Sequence, residues 1–82
     1  MATQVELLSR AGCHLCEEAR PIVASAVRKH GVKLREVDVD SDPELRERYG
    51  DEVPVVLIDG RQHAFHRVDP QRLDLALAHA EN

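Results

Sequence analysis

Apolar residues recur along this chain with two different spacings, and the switches between them mark out its elements. Val5-Glu6-Leu7-Leu8-Ser9 is a short, mostly apolar run closed by Arg10-Ala11-Gly12, the pattern of a buried strand followed by a turn. Between Cys13 and His30 the spacing changes. Leu15, Ala19, Ile22, Val23, Ala26 and Val27 follow one another at helical intervals, which predicts an amphipathic helix ending at Gly31. Arg28, Lys29 and His30 then fall in its last turn, where cations meet the negative end of the helix dipole. Pro21 lies inside this helix and is expected to kink it.

A second strand is predicted at Lys33–Val39, where Val37 and Val39 alternate with charged residues. Asp42-Pro43 then sets an N-cap and a first-turn proline for a short helix over Pro43–Tyr49, burying Leu45 and Tyr49. Val53–Ile58 reads as a third strand, Asp59-Gly60 as a hairpin turn, and Gln62–His66 as a fourth strand. Asp69-Pro70 repeats the cap-plus-proline signal for a last helix with Leu73, Ala76, Leu77 and Ala80 on one face. The order is β-α-β-α-β-β-α. Its first two strands should be parallel through a right-handed crossover, and the hairpin should add the other two antiparallel, giving a mixed four-stranded sheet flanked by three helices.

Length and composition narrow the function. The chain has 82 residues, enough for one domain over 1–82, with no linker or repeat. Its net charge is -4, and Tyr49 and Phe65 are its only aromatic residues, so it offers neither a basic face nor a stacking platform for nucleic acid. The start, Met1-Ala2-Thr3-Gln4, lacks a charged and then apolar leader, and no window approaches the roughly 18 apolar residues of a membrane span. A cytoplasmic protein without membrane or nucleic-acid partners is the expectation, acting as a monomer.

Cys13 and Cys16 are the only cysteines, arranged as Cys13-His14-Leu15-Cys16 at the start of the first helix. In a reducing compartment such a pair is catalytic or metal-binding rather than a structural staple, and the loop it closes is too short to stabilise a fold through chain entropy. Backbone N–H groups and the helix dipole at that position favour a thiolate on Cys13, while Glu17 and Glu18 in the same turn oppose it. The bland reading of the two glutamates, complementing the helix dipole, is preferred. His14 points away from Cys13 in many geometries. A zinc site from Cys13, Cys16, His63 and His66 is disfavoured, because residues three apart on a strand face opposite sides. No metal ligand is therefore assigned.

The strand, the C-x-x-C at the first helix, Pro21 eight residues after Cys13, and Val53-Pro54 before the third strand together resemble the thioredoxin fold and, within it, the glutaredoxin-like proteins. The resemblance implies a thiol–disulfide oxidoreductase with Cys13 as nucleophile and Cys16 as resolving thiol. It further implies a cis Val53–Pro54 bond beside the dithiol, with the Val53 backbone pairing with an extended substrate segment. On residue type alone Pro54 would mark only a strand start or edge, since about 5–6% of X–Pro bonds are cis. Arg10, three residues before Cys13, matches the basic residue that contacts a thiolate or the carboxylate of glutathione, and Asp69 matches the carboxylate before the last helix.

Two features depart from the pattern. The active site reads Gly12-Cys13-His14-Leu15-Cys16, and Phe65-His66-Arg67-Val68 stands where glutaredoxins carry a Gly-Gly pair, so the side chains of Phe65, His66 and Arg67 would crowd a glutathione. Substrates are expected to be disulfide-bearing proteins or glutathione-like thiols, with glutathione a candidate reductant and no tightly bound cofactor. The competing reading is a non-catalytic binding module of the same fold. In it the dithiol stays idle or holds a metal or an iron–sulfur cluster, and an exposed edge of the third strand recruits a partner.

Overall fold

A computed structural model describes residues 3–80. Its elements are β1 (Gln4–Ser9), α1 (His14–His30), β2 (Lys33–Asp38), a 3-10 turn (Val39–Ser41), α2 (Pro43–Tyr49), β3 (Val55–Ile58), β4 (Arg61–Phe65) and α3 (Pro70–Ala80). The strands lie in the order β2-β1-β3-β4, with β1 and β2 parallel and both other pairings antiparallel. This is the expected architecture. One part of the binding-module reading does not survive it: β3 runs between β1 and β4, so it has no exposed edge to offer a partner, and the free edges belong to β2 and β4.

The element ends follow from local chemistry. Gly31 closes α1 in the left-handed conformation (φ 65°), and the N–H of Val32 turns back to the carbonyl of Val27 at 3.1 Å. The helix assignment is continuous through Pro21. Asp42 and Asp69 cap α2 and α3 as anticipated, accepting the N–H of Glu44 at 2.9 Å and of Gln71 at 2.9 Å. Asp59 and Gly60 both have positive φ, 50° and 84°, the turn that a two-residue Asp-Gly hairpin requires, and Ile58 pairs directly with Arg61.

Three boundaries differ from the sequence reading. β2 stops at Asp38 because the Asp38 carboxylate accepts the N–H of Asp40 and starts the 3-10 turn, which takes the fully buried Val39 out of the strand. β3 begins at Val55 rather than Val53, since Pro54 has no N–H to give to a ladder. β4 starts one residue early at Arg61 and carries a bulge, its register jumping from Gln62 to Ala64 against successive residues of β3. His63 is the extra residue.

Alternation along the strands sends apolar side chains to two separate cores. On one face Val5, Leu7 and Val56 pack with Ala19, Val23, Ala26 and Val27 of α1 and with Leu73 and Leu77 of α3. On the other, Leu8, Val39, Val53 and Val55 pack with Cys16, and Leu45 and Tyr49 of α2 lean against them half-buried. The dithiol therefore belongs to the second core.

Candidate active site

Cys13 is the N-cap of α1, with extended backbone (φ -90°, ψ 110°), and the glycine before it takes φ 76° to turn the chain off β1. Its sulfur accepts the N–H of Cys16 at 3.1 Å, and its carbonyl accepts the N–H of Glu17 at 3.2 Å. The helix thus aims a first-turn N–H, that of Cys16, at the Cys13 sulfur, where negative charge would develop. Cys13 and Cys16 are joined as a disulfide with their Cα atoms 5.2 Å apart. The two sulfurs are unequal in access: Cys13 is half-buried, whereas Cys16 is 1% exposed.

Val53 and Pro54 come up beside this pair. Val53 shares its core with Cys16, Cys13 packs against the same cluster, and Pro54 is fully buried behind a cis Val53–Pro54 bond. The carbonyls on either side, Glu52 and Pro54, both accept the N–H of His66, at 3.1 and 2.9 Å. Among the described residues neither the N–H nor the C=O of Val53 has a hydrogen-bond partner.

The other candidate residues have partners of their own. Arg10 grips both oxygens of Asp40, at 2.7 and 3.1 Å, and donates to the Gly50 carbonyl at 3.2 Å. That hydrogen bond, with the charge attraction behind it, holds the Asp40 carboxyl below its ordinary pKa and raises that of Arg10. Asp69 faces the backbone of α3, with the N–H of Arg72 at 3.4 Å besides that of Gln71. His14 is largely exposed, 3.5 Å from Glu18. His63 sits half-buried at the bulge, where burial first and the charge of Arg72 second push its pKa down. His66 takes a positive φ of 62° and directs its ring to the Asp51 carbonyl at 2.9 Å. Among the described residues no three His, Cys, Asp or Glu side chains converge as a metal cluster would.

Sequence reasoning placed the cysteines and Val53-Pro54 in one neighbourhood but missed Asp40 and the role of His66. Asp40 is thirty residues from Arg10 with no local signal to pair them, and a histidine gives no advance notice of positive φ.

Residues 4–78 match the model of the glutaredoxin-like domain, DUF836. The chain belongs to the glutaredoxin-like family. This domain is 41% identical over 80 residues to protein Mb0520 of Mycobacterium bovis, covering 92% of this chain and 82% of the relative. Among solved structures, protein XcR50 of X. campestris superposes with a TM-score of 0.75 at 32% identity, covering 92% of this chain and 96% of the other. Oxidised mitochondrial thioredoxin 3 of Saccharomyces cerevisiae superposes at 0.71 with 17% identity, over 94% of this chain and 77% of that one, which establishes the thioredoxin fold. No helix among the described residues of the glutaredoxin-like domain is long and apolar enough to cross a membrane.

Proposed function

We propose that this glutaredoxin-like domain is a thiol–disulfide oxidoreductase, and that the unequal access of its two sulfurs sets their roles. The observation that carries the reading is the disulfide at the α1 N-terminus, with one sulfur reachable and the other sealed beneath it next to Val53. In the reduced protein, the Cys13 thiolate attacks one sulfur of a substrate disulfide, and the other substrate sulfur leaves as a thiolate. Cys16, losing its proton, then attacks the Cys13 sulfur. The second substrate thiol departs and the Cys13–Cys16 disulfide forms, so two electrons pass to the substrate. A thiol reductant returns the pair to its dithiol form by the same exchange run backwards.

Substrate alignment falls to Val53, whose unpaired N–H and C=O suit an extended peptide segment laid alongside. Arg10 and Asp69 complete the proposed binding surface, toward a substrate carboxylate and a substrate amine respectively. Disulfide-bearing proteins and glutathione-like thiols are the substrate class, glutathione is the candidate reductant, and a monomer in the cytoplasm is the working form.

Two substitutions test the assignment of roles. Cys13→Ser should abolish disulfide reduction, and Cys16→Ser should trap a mixed disulfide on Cys13, visible by mass spectrometry as the protein plus one substrate chain. Unchanged turnover in both variants would remove the enzyme reading. Equilibrating the dithiol against glutathione and against a thioredoxin system, in separate titrations, identifies the reductant. A pair that exchanges with neither, in a protein carrying stoichiometric metal, would favour the binding module instead.

A further inference from the structure

The segment Asp51–Pro54 reaches the dithiol with little regular structure of its own. Its near end is tied by the N–H of Glu52 to the Tyr49 carbonyl at 2.8 Å. Beyond that, Gln62 holds the Glu52 side chain at 3.2 Å, and the backbone carbonyls of the segment are tied by one residue from across the hairpin. His66 donates its backbone N–H to Glu52 and Pro54 together, at 3.1 and 2.9 Å, and its ring Nε2–H to Asp51 at 2.9 Å. Carbonyls at three of the four positions are thereby claimed, and the one left open is Val53.

The conformation that makes this possible is unfavourable for the residue that adopts it. His66 has φ 62°, and side-chain-bearing residues hold positive φ where surrounding contacts over-determine it. Those contacts are present on both sides of it. Phe65 packs edge-on against the imidazole with ring centroids 5.0 Å apart, while the N–H of Arg67 closes back on the Phe65 carbonyl at 2.8 Å. A glycine would reach the same φ at no steric cost but would bring no ring to Asp51. The imidazole is what the strained turn gains.

We propose that His66 is a positioning residue of the dithiol site, clamping Asp51–Pro54 so that the Val53 backbone stays presented beside Cys13 for an extended segment of a disulfide-bearing protein. This rests on the oxidoreductase reading for the identity of the substrate. The clamp itself rests only on the hydrogen bonds. His66 touches neither sulfur, so it acts on peptide substrates through Val53 and leaves the chemistry of Cys13 alone.

The test uses the whole chain in three forms: wild type, His66→Gly and His66→Gln. Glycine keeps the backbone conformation and its N–H bonds while removing the ring; glutamine returns an N–H donor at about the reach of Nε2. For a disulfide-bearing peptide, His66→Gly should raise KM by roughly 3- to 10-fold, the effect of one lost hydrogen bond, with kcat unchanged. Reduction of a small aryl disulfide, which has no backbone to align, should be unaffected, and His66→Gln should recover most of the peptide KM. Backbone 15N relaxation at Val53 and Val55 should show greater mobility in the glycine variant only. Equal losses on peptide and aryl disulfide, or unchanged relaxation together with unchanged peptide KM, would overturn the clamp. If the wild type reduces neither substrate, the oxidoreductase reading fails with the substrate half of this inference, while the relaxation arm still decides whether His66 clamps the segment.

Discussion

The two faces of the sheet divide the work of the molecule. Under α1 and α3 lies a broad apolar core with Val5, Leu7, Val23, Leu73 and Leu77 fully sealed, and Lys29 and His30 of α1 reach across to Asp74 of α3 at 3.0 and 2.7 Å. The opposite face has a thinner core under the short α2, no residue of which is fully buried, and part of that core is Cys16 and Val53. The first face is built from side chains with no chemistry. The second gives up apolar bulk to hold the Cys16 sulfur and the unpaired Val53 backbone. The difference teaches that apolar burial is concentrated on the face away from the dithiol, so under the proposed oxidoreductase reading damage to one face need not reach the other.

The largest effect should come from cutting the broad core. Leu73→Ala, removing a fully buried side chain, should cost about 2–5 kcal/mol in urea unfolding. The fraction that remains folded should keep its dithiol reactivity. Val39→Ala, on the thin side, deletes less and should cost about 1.5–3 kcal/mol, yet it should disturb Cys13–Cys16 exchange more per unit of stability lost, because Val39 packs in the same cluster as Cys16. Measuring unfolding and thiol exchange on both variants would break the comparison if the loss of reactivity simply followed the loss of stability.

The same division explains what could be read from the sequence. Features set by neighbouring residues were legible. Asp42-Pro43 and Asp69-Pro70 announced helix starts, Asp59-Gly60 announced its hairpin, and the spacing from Leu15 to Val27 announced α1, because a cap, a turn or an amphipathic stripe is decided within a few positions. Cys13, Cys16 and Val53-Pro54 were found from motif and order, and the structure brings Cys13, Cys16 and Val53 into one cluster. What escaped was set at long range. The bulge at His63 depends on how β4 registers against β3. The Arg10–Asp40 pair joins the loop after β1 to the turn after β2, and the His66 clamp joins the hairpin to the segment before β3. None of these leaves a pattern in its own stretch of chain.

A smaller effect should appear in acid, and on the broad face. The hydrogen bond from His30, followed by that from Lys29, lowers the Asp74 carboxyl from its ordinary 3.8. A carboxyl whose pKa is lower folded than unfolded contributes stability that is fully present above the unfolded value and is lost as pH falls through the folded one. The link between α1 and α3 should therefore hold at pH 5 and weaken below about pH 4. Glu36 behaves in the same direction, its carboxyl lowered chiefly by the hydrogen bond from Arg20, so acid unfolding of the wild type combines both. Asp74→Asn should flatten part of the decline in melting temperature between pH 5 and 3. An unaltered slope would mean that the α1–α3 link contributes nothing measurable.

The smallest effect separates the two roles that Asp69 could play, one on each side of the division. As the N-cap of α3 it serves the broad core, accepting the Gln71 and Arg72 N–H groups through Oδ1 alone, which leaves its second oxygen and its charge for a substrate amine. Asparagine caps about as well as aspartate, whereas alanine loses the cap at a cost of about 1 kcal/mol. Asp69→Ala should thus lower stability by that amount in urea unfolding, and Asp69→Asn should leave it within error of wild type. If Asp69 also holds substrate, Asp69→Asn will nonetheless raise KM for a thiol substrate bearing a free amine. It should spare a substrate whose amine is acetylated, because only the charge has been removed. A KM indifferent to the substitution for both substrates would confine Asp69 to the helix it caps and leave the binding surface to Val53 and Arg10.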